Sequence, residues 1–157
     1  MNIIEREINN QIMATDIYLC LASQTLSETE ITEDIDKIVK QLVDFEQKYS
    51  RFIPNNFLAN LNESENFEAS DDLLELIEAG EKYYKKTQGL FDPTIYNYLI
   101  NEGYNVSKKQ GFYDSNVIQV SDEHYSFADV KVNYKEKTIK KPKSLHIDFG
   151  GIGKGYI

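Results

Sequence analysis

Apolar and polar residues alternate at the start of the chain, and farther on the period lengthens. Ile3–Ile8 and Ile12–Leu21 predict two strands: Met13, Thr15, Ile17, Leu19 and Leu21 share one face, and Asn9-Asn10 offers a turn between them. From Thr32 onward Ile35, Ile38, Val39, Leu42, Phe45 and Tyr49 recur at helical spacing, with Thr32 placed to cap and Glu33 and Asp34 near the positive helix end. The stretch Ser50–Asn62 reads as a loop, yet it is rich in apolar residues and asparagine, so something should cover it. Ser70 then caps a second helix, with Asp71 and Asp72 in its first turn and Leu73, Ile77, Gly80 and Tyr84 facing inward. Lys82, Lys85 and Lys86 lie toward its negative end, and Gly89 suits the C′ position. Pro93 holds Asp92 out of the α region and fits the first position of a helix running to about Ile100, which makes Asp92 an N-cap.

The polar stretch Gly103–Asn116 predicts a loop. Asn116–Ser121, Phe127–Tyr134, Thr138–Lys140 and Leu145–Phe149 follow as strands, the middle two joined across Lys135-Glu136-Lys137. The expected class is α+β, with helices packed on a mostly antiparallel sheet. At 157 residues and 41% hydrophobic, the chain 1–157 is expected to form a single domain with a real core.

Charge narrows the partners. With 17 basic against 26 acidic side chains the net charge is −9, which disfavours a nucleic-acid backbone. Cys20 is the one cysteine, so no internal disulfide can form; with only His124 and His146 beside it a cysteine-based zinc site is also excluded, and Cys20 reads as a small buried hydrophobe. The N-terminus has acidic residues and no continuous apolar run, so neither a signal peptide nor a membrane span is expected, and the protein reads as cytoplasmic.

The chemistry concentrates at the end, where the apolar run Leu145–Phe149 enters Gly150-Gly151-Ile152-Gly153-Lys154-Gly155-Tyr156. Glycines let successive N–H groups face one concavity and a lysine adds a cation, so the loop is a candidate phosphate cradle; the plain alternative is a glycine-rich turn. It is not a P-loop, because Asp148 stands where the first glycine belongs and Gly155 where a hydroxyl must bind Mg²⁺. Nor is it a dinucleotide fingerprint, since Gly151, Gly153 and Gly155 give G-x-G-x-G. Asp148-Phe149-Gly150 matches a kinase triplet by coincidence, with no H-R-D loop before it.

Four segments in register carry a resemblance: Met13-Ala14-Thr15; Tyr49-Ser50-Arg51-Phe52 with Leu61-Asn62; Thr87-Gln88-Gly89-Leu90-Phe91-Asp92-Pro93-Thr94; and Asp148-Phe149-Gly150-Gly151-Ile152-Gly153-Lys154-Gly155-Tyr156. Together they resemble the ApbE family of FAD:protein FMN transferases, over roughly Ile3–Ile157. The resemblance implies a T-fold-like N-terminal half. It also implies FAD as substrate, Mg²⁺, transfer of FMN to a Thr or Ser of an acceptor flavoprotein, and release of AMP. By the same resemblance Met13, Phe52, Leu90, Phe91, Asp92, Asp148 and Lys154 would contact FAD, and the main-chain oxygen of Gly151 would bind Mg²⁺.

Each has a plainer role beside it: core filling for Met13, a core plug for Phe52, a cap for Asp92, a solvated charge for Lys154. His124 and His146 match no catalytic position and read as structural. In the family the catalytic residues and remaining metal ligands lie in a C-terminal half that would follow Ile157. This half is therefore expected to be inactive alone, and to self-associate or pair with a C-terminal half. The alternative is a non-catalytic flavin-binding or protein-interaction module, either working with a separately encoded second half or a remnant of a truncated gene.

Overall fold

The computed structural model describes residues 3–104 and 123–157; the predicted strand Asn116–Ser121 and most of the predicted loop before it lie outside these. Two compact units divide the chain, residues 1–48 and 49–157. Helices and antiparallel ladders make up both, so the α+β class holds.

In the first unit β1 (Ile4–Ile12) and β2 (Thr15–Ser23) form an antiparallel hairpin. Its turn is Met13-Ala14, both at positive φ (54° and 52°), and not the expected Asn9-Asn10. The register gives the reason. Ile12 opposite Thr15 puts Ile4, Ile8 and Ile12 on the same face as Thr15, Ile17, Leu19 and Leu21; a turn at Asn9-Asn10 would send Ile12, here 4% exposed, to the other side. Burial of that face outweighs the strain of two non-glycine residues in the left-handed region. Cys20 lies on the opposite, exposed face rather than in a core, and its thiol donates to Glu5 Oε1 at 3.1 Å. That bond and the surrounding carboxylates raise the thiol's pKa.

The helix α1 (Glu28–Tyr49) begins before the expected Thr32. Ser27 Oγ accepts the Glu30 N–H at 3.3 Å and Glu30 Oε2 accepts the Ser27 N–H at 2.8 Å, a reciprocal cap that also lowers the Glu30 pKa. Thr32 instead donates its hydroxyl to the Glu28 carbonyl at 2.8 Å, inside the helix. Ile31 and Ile35 are the buried pair of this helix face.

The second unit starts at Tyr49. Its segment Phe57–Glu63 is a helix, α2, where a loop was expected: Asn56 Oδ1 caps the Ala59 N–H at 2.8 Å, and Leu58 and Leu61 are fully buried. A three-stranded sheet orders β3 (Asn66–Glu68), β5 (Thr138–Lys140) and β4 (Lys131–Asn133), with β5 central and Ile139 1% exposed. The predicted strand Phe127–Tyr134 is thus mostly something else. Ser126 and Asp129 close a capping box around a 3-10 turn at Phe127–Asp129, and only Lys131–Asn133 pairs. Asn133 Oδ1 accepts the N–H groups of Lys135 and Glu136, fixing the turn into β5.

Between these strands runs α3 (Asp71–Lys86), burying Leu73, Leu74, Leu76, Ile77 and Gly80. A Cβ at Gly80 would lie 3.1 Å from Pro93 Cγ, so glycine lets the helix approach the Asp92-Pro93 turn closely. Gly89 sits one place beyond the expected C′, donating to the Tyr84 carbonyl while Gln88 donates to that of Lys85; both have positive φ, a Schellman ending. The short helix α4 (Tyr96–Asn101) starts three residues later than the predicted Pro93 start, after a turn. The chain closes with α5 (Gly153–Tyr156). No helix among the described residues is long and apolar enough to cross a membrane.

Leu145–Phe149 alternates as a strand should, with Leu145, Ile147 and Phe149 buried, but among the described residues it joins no sheet. Its backbone partners are side-chain and turn atoms. Asn62 Oδ1 accepts the Ile147 N–H at 2.8 Å, Asn62 Nδ2 donates to the Ile147 carbonyl at 3.0 Å, and the Asp148 N–H donates to the Pro93 carbonyl at 2.8 Å. One buried amide side chain does the work of a neighbouring strand. The main-chain carbonyl of Asn62 is in turn held by Lys141 Nζ at 2.9 Å, in a side chain only 3% exposed.

Burial lowers the Lys141 ammonium from 10.5 to about 8. The folded state therefore gives up this proton at lower pH than the unfolded chain. The cost of burying the charge stands in full below about 8 and fades as pH rises to 10.5. Wild-type stability is expected to gain on that of Lys141→Met across this window, as measured by urea unfolding at several pH values, since other titrations are common to both proteins. Parallel stability curves would rule it out.

Candidate functional site

Four of the predicted residues converge in the second unit. The turn after α3 starts with Thr87, whose Oγ1 accepts the Phe91 N–H at 2.9 Å and so places the Phe91 ring, edge-on to Tyr83 at 6.2 Å. Asp92 follows. Its Oδ1 accepts the Thr94 N–H at 2.8 Å and the Thr94 hydroxyl at 2.6 Å, and its Oδ2 accepts the Phe127 N–H at 3.3 Å. The predicted cap is real, but it closes the Pro93-Thr94 turn and ties it to the 3-10 turn, instead of capping α4, whose own N-cap is Ile95.

The glycine loop docks on this turn. Besides the Asp148–Pro93 backbone bond, a Cβ at Gly151 would meet Phe91 Cε2 at 3.0 Å, so the bare Cα of Gly151 packs on the Phe91 ring. Asp148 Oδ1 accepts the Gly150 N–H at 2.9 Å, and its Oδ2 faces Arg51 Nε at 3.8 Å. Phe52, half-buried, lies on the other side of that arginine: the guanidinium carbon is 4.6 Å from its ring centroid and 4.2 Å from that of Tyr104. Leu90 and Lys154 flank the cluster in sequence, 93% exposed and exposed respectively.

A groove of about 860 Å³ opens beside the docked loop, between α3 and α5. Phe91, Gly151 and Tyr156 line it with Glu75, Glu78 and Lys82 of α3, so charged side chains make up much of its wall. Tyr156 donates to Glu75 Oε2 at 2.6 Å across it; burial and that bond raise the phenol to about 12.

Met13 does not lie in a strand as expected. It is the first residue of the hairpin turn in the other unit, half-buried, its N–H donating to Glu46 Oε1 at 2.9 Å. His146 stays structural: Nδ1 is 2.9 Å from Asn97 Oδ1, Tyr96 packs edge-on at 5.3 Å, and burial lowers its pKa. Arg51 and Asn62 help to build the site although neither is among the candidate contact residues of the sequence. A cation and an asparagine inside an apolar segment were the available signals.

A metal site is incomplete here. Beside the Gly151 carbonyl the described residues offer Asp148, whose two oxygens are already turned to Gly150 and Arg51, while Mg²⁺ takes six oxygen ligands in near-octahedral array. Glu5, Glu7 and Cys20, all exposed, are the one group of three that converges among the described residues, and they belong to the hairpin.

Fold and motifs thus define an α+β protein whose glycine loop is seated on an Asp-Pro turn beside a groove. The ApbE family model matches residues 13–157, and the chain belongs to the ApbE family. Its fold is similar to an ApbE protein of Thermotoga maritima (TM-score 0.79, 22% identity, covering 98% of this chain and 50% of that one). It is similar too to the flavin transferase ApbE of Vibrio cholerae (TM-score 0.74, 17% identity, 99% and 51%). The apo flavinyl transferase ApbE of Pseudomonas stutzeri gives 0.72, 16%, 98% and 52%. The chain spans about half the length of these relatives. No curated protein matches it in sequence.

Proposed function

We propose that this chain contributes the flavin-nucleotide side of an FAD:protein FMN transferase, which moves FMN from FAD to a Thr or Ser hydroxyl of an acceptor flavoprotein and releases AMP, with Mg²⁺ required. The observation that carries the reading is the seating of Asp148–Gly151 on Phe91–Pro93, two family motifs joined through the Asp148–Pro93 bond and the Gly151–Phe91 contact. Solved relatives described as flavin transferases support it. Phosphoryl transfer needs a held pyrophosphate, a charge-neutralising metal and an oriented acceptor hydroxyl. Phe91, Asp92, Asp148 and Lys154 would serve the first, with Leu90 as a further flavin contact and Phe52 as the ring on which the flavin stacks. The Gly151 carbonyl would give Mg²⁺ one ligand; the others must come from beyond the described residues.

The isolated chain is therefore expected not to transfer FMN, and to do so when an ApbE C-terminal half is supplied in cis or as a second chain. Intact-mass spectrometry after incubation with FAD, Mg²⁺ and an acceptor flavoprotein tests both. Absence of covalent FMN even with the second half present would sink the reading.

Gly151→Ala probes the seating. The added methyl meets only the end of the Phe91 side chain, so stability should fall by no more than about 1–2 kcal/mol, while FAD affinity should fall more. Phe91→Leu in the same chain should restore the room. FAD affinity equal to wild type in Gly151→Ala would exclude this contact from the site.

A further inference from the structure

We propose that Arg51 is an oxyanion-binding residue, taking a phosphate-class anion on the two terminal nitrogens of its guanidinium. Its side chain is only 4% exposed, and both terminal nitrogens are buried with no hydrogen-bond partner among the described residues. The nearest acid, Asp148, lies 3.8 Å from Nε, well beyond the roughly 2.7–2.9 Å of a charge-assisted hydrogen bond. Aromatic faces surround the cation instead: Tyr104 at 4.2 Å, Phe52 at 4.6 Å and Tyr96 at 5.8 Å. Ring quadrupoles offset part of the charge but accept no strong hydrogen bonds.

A buried cation with empty donors is costly, and such groups persist where a ligand or a mechanism compensates. The fork of N–H groups matches two oxygens of one phosphate. Cation and aromatic surface together suit a nucleotide, which brings a phosphate and a ring. Phe52, Tyr96 and Tyr104 are each only half-buried, so a ring can move aside to admit the anion.

The inference rests on the flavin-transferase reading for the flavin, but not for the anion, and the probes separate the two. Calorimetry of the full chain with pyrophosphate, ADP, FAD and riboflavin is compared for wild type, Arg51→Lys and Arg51→Met. Wild type is expected to bind the three phosphate-bearing probes, and Arg51→Met to bind them roughly 10-fold or more weakly, the worth of a hydrogen bond to a charged group. Arg51→Lys should fall between, and riboflavin affinity should not change. Circular dichroism checks folding; should Arg51→Met fail to fold, Arg51→Lys decides, because it keeps the charge and loses the fork.

Phosphate affinities unchanged in the folded variants, or no binding of pyrophosphate by wild type, would overturn the proposal. So would a parallel loss of riboflavin, which would mean that Arg51 acts only by packing Phe52. Arg51-dependent pyrophosphate binding without any flavin binding would keep the oxyanion site and remove the flavin reading. Unchanged FAD affinity in Arg51→Met would do the reverse.

Discussion

Replacing Asn62 by leucine is expected to cost this protein about 3–5 kcal/mol, enough to bring a domain of ordinary stability close to unfolding. Leucine keeps the branched shape and the number of heavy atoms, and its bulkier methyl groups add some overpacking at this buried position. What is lost is the amide that bonds both the N–H and the carbonyl of Ile147, 85 residues away, in a position 7% exposed. Leucine leaves both groups buried and unpaired, and each such group costs about 1–3 kcal/mol. Asn62→Asp should fail as well, because its second oxygen would face the Ile147 carbonyl. Because Asp148 and the glycine loop follow Ile147 directly, flavin binding should disappear with the fold. Urea unfolding checks this, and a loss below about 1 kcal/mol for Asn62→Leu would show that the loop is held by something other than this clasp.

Asp92 gives the second large effect. Asp92→Ala should destabilise by about 3 kcal/mol, since three acceptor contacts are removed at once: the Thr94 N–H, the Thr94 hydroxyl and the Phe127 N–H. Asparagine is as good a cap as aspartate and keeps the Thr94 pair through its single oxygen. Its amide nitrogen, however, would point a donor at the Phe127 N–H, so Asp92→Asn should still lose about 1–2 kcal/mol. It should also weaken FAD binding through loss of charge. Thermal unfolding with and without FAD separates the two contributions. Wild-type FAD affinity in a folded Asp92→Asn protein would leave Asp92 as a structural cap alone.

Arg51 and Asn62 show where reading the chain alone stops. The stretch Ser50–Asn62 is conspicuous as apolar, asparagine-rich sequence, and its covering is foreseeable. That Asn56 caps a helix there and that Asn62 reaches Ile147 is not, because both bonds depend on where the rest of the unit places their partners. At the hairpin a local signal, Asn9-Asn10, competes with a global one, the shared face of Ile4, Ile8 and Ile12 with the second strand, and the global one wins. Ser27-Glu28-Thr29-Glu30 carried a capping-box pattern that a start at Thr32 overlooks.

Period and punctuation, which are local, determined the α3 helix and its inner face and the β5 strand, and the family motifs are legible as short local strings. The partners of those motifs were decided by tertiary structure. Leu145–Phe149 has the alternation of a strand, yet among the described residues a side chain and a turn, not a sheet, bond the backbone of Ile147 and Asp148. The glycine loop reads as a phosphate cradle, yet Gly151 is glycine at least in part because Phe91 occupies the space of its Cβ. Alternation records only which side chains are buried. Which atoms bury them, and which donors are left over, as on Arg51, depends on contacts between residues far apart in the chain, and these form only when the unit closes.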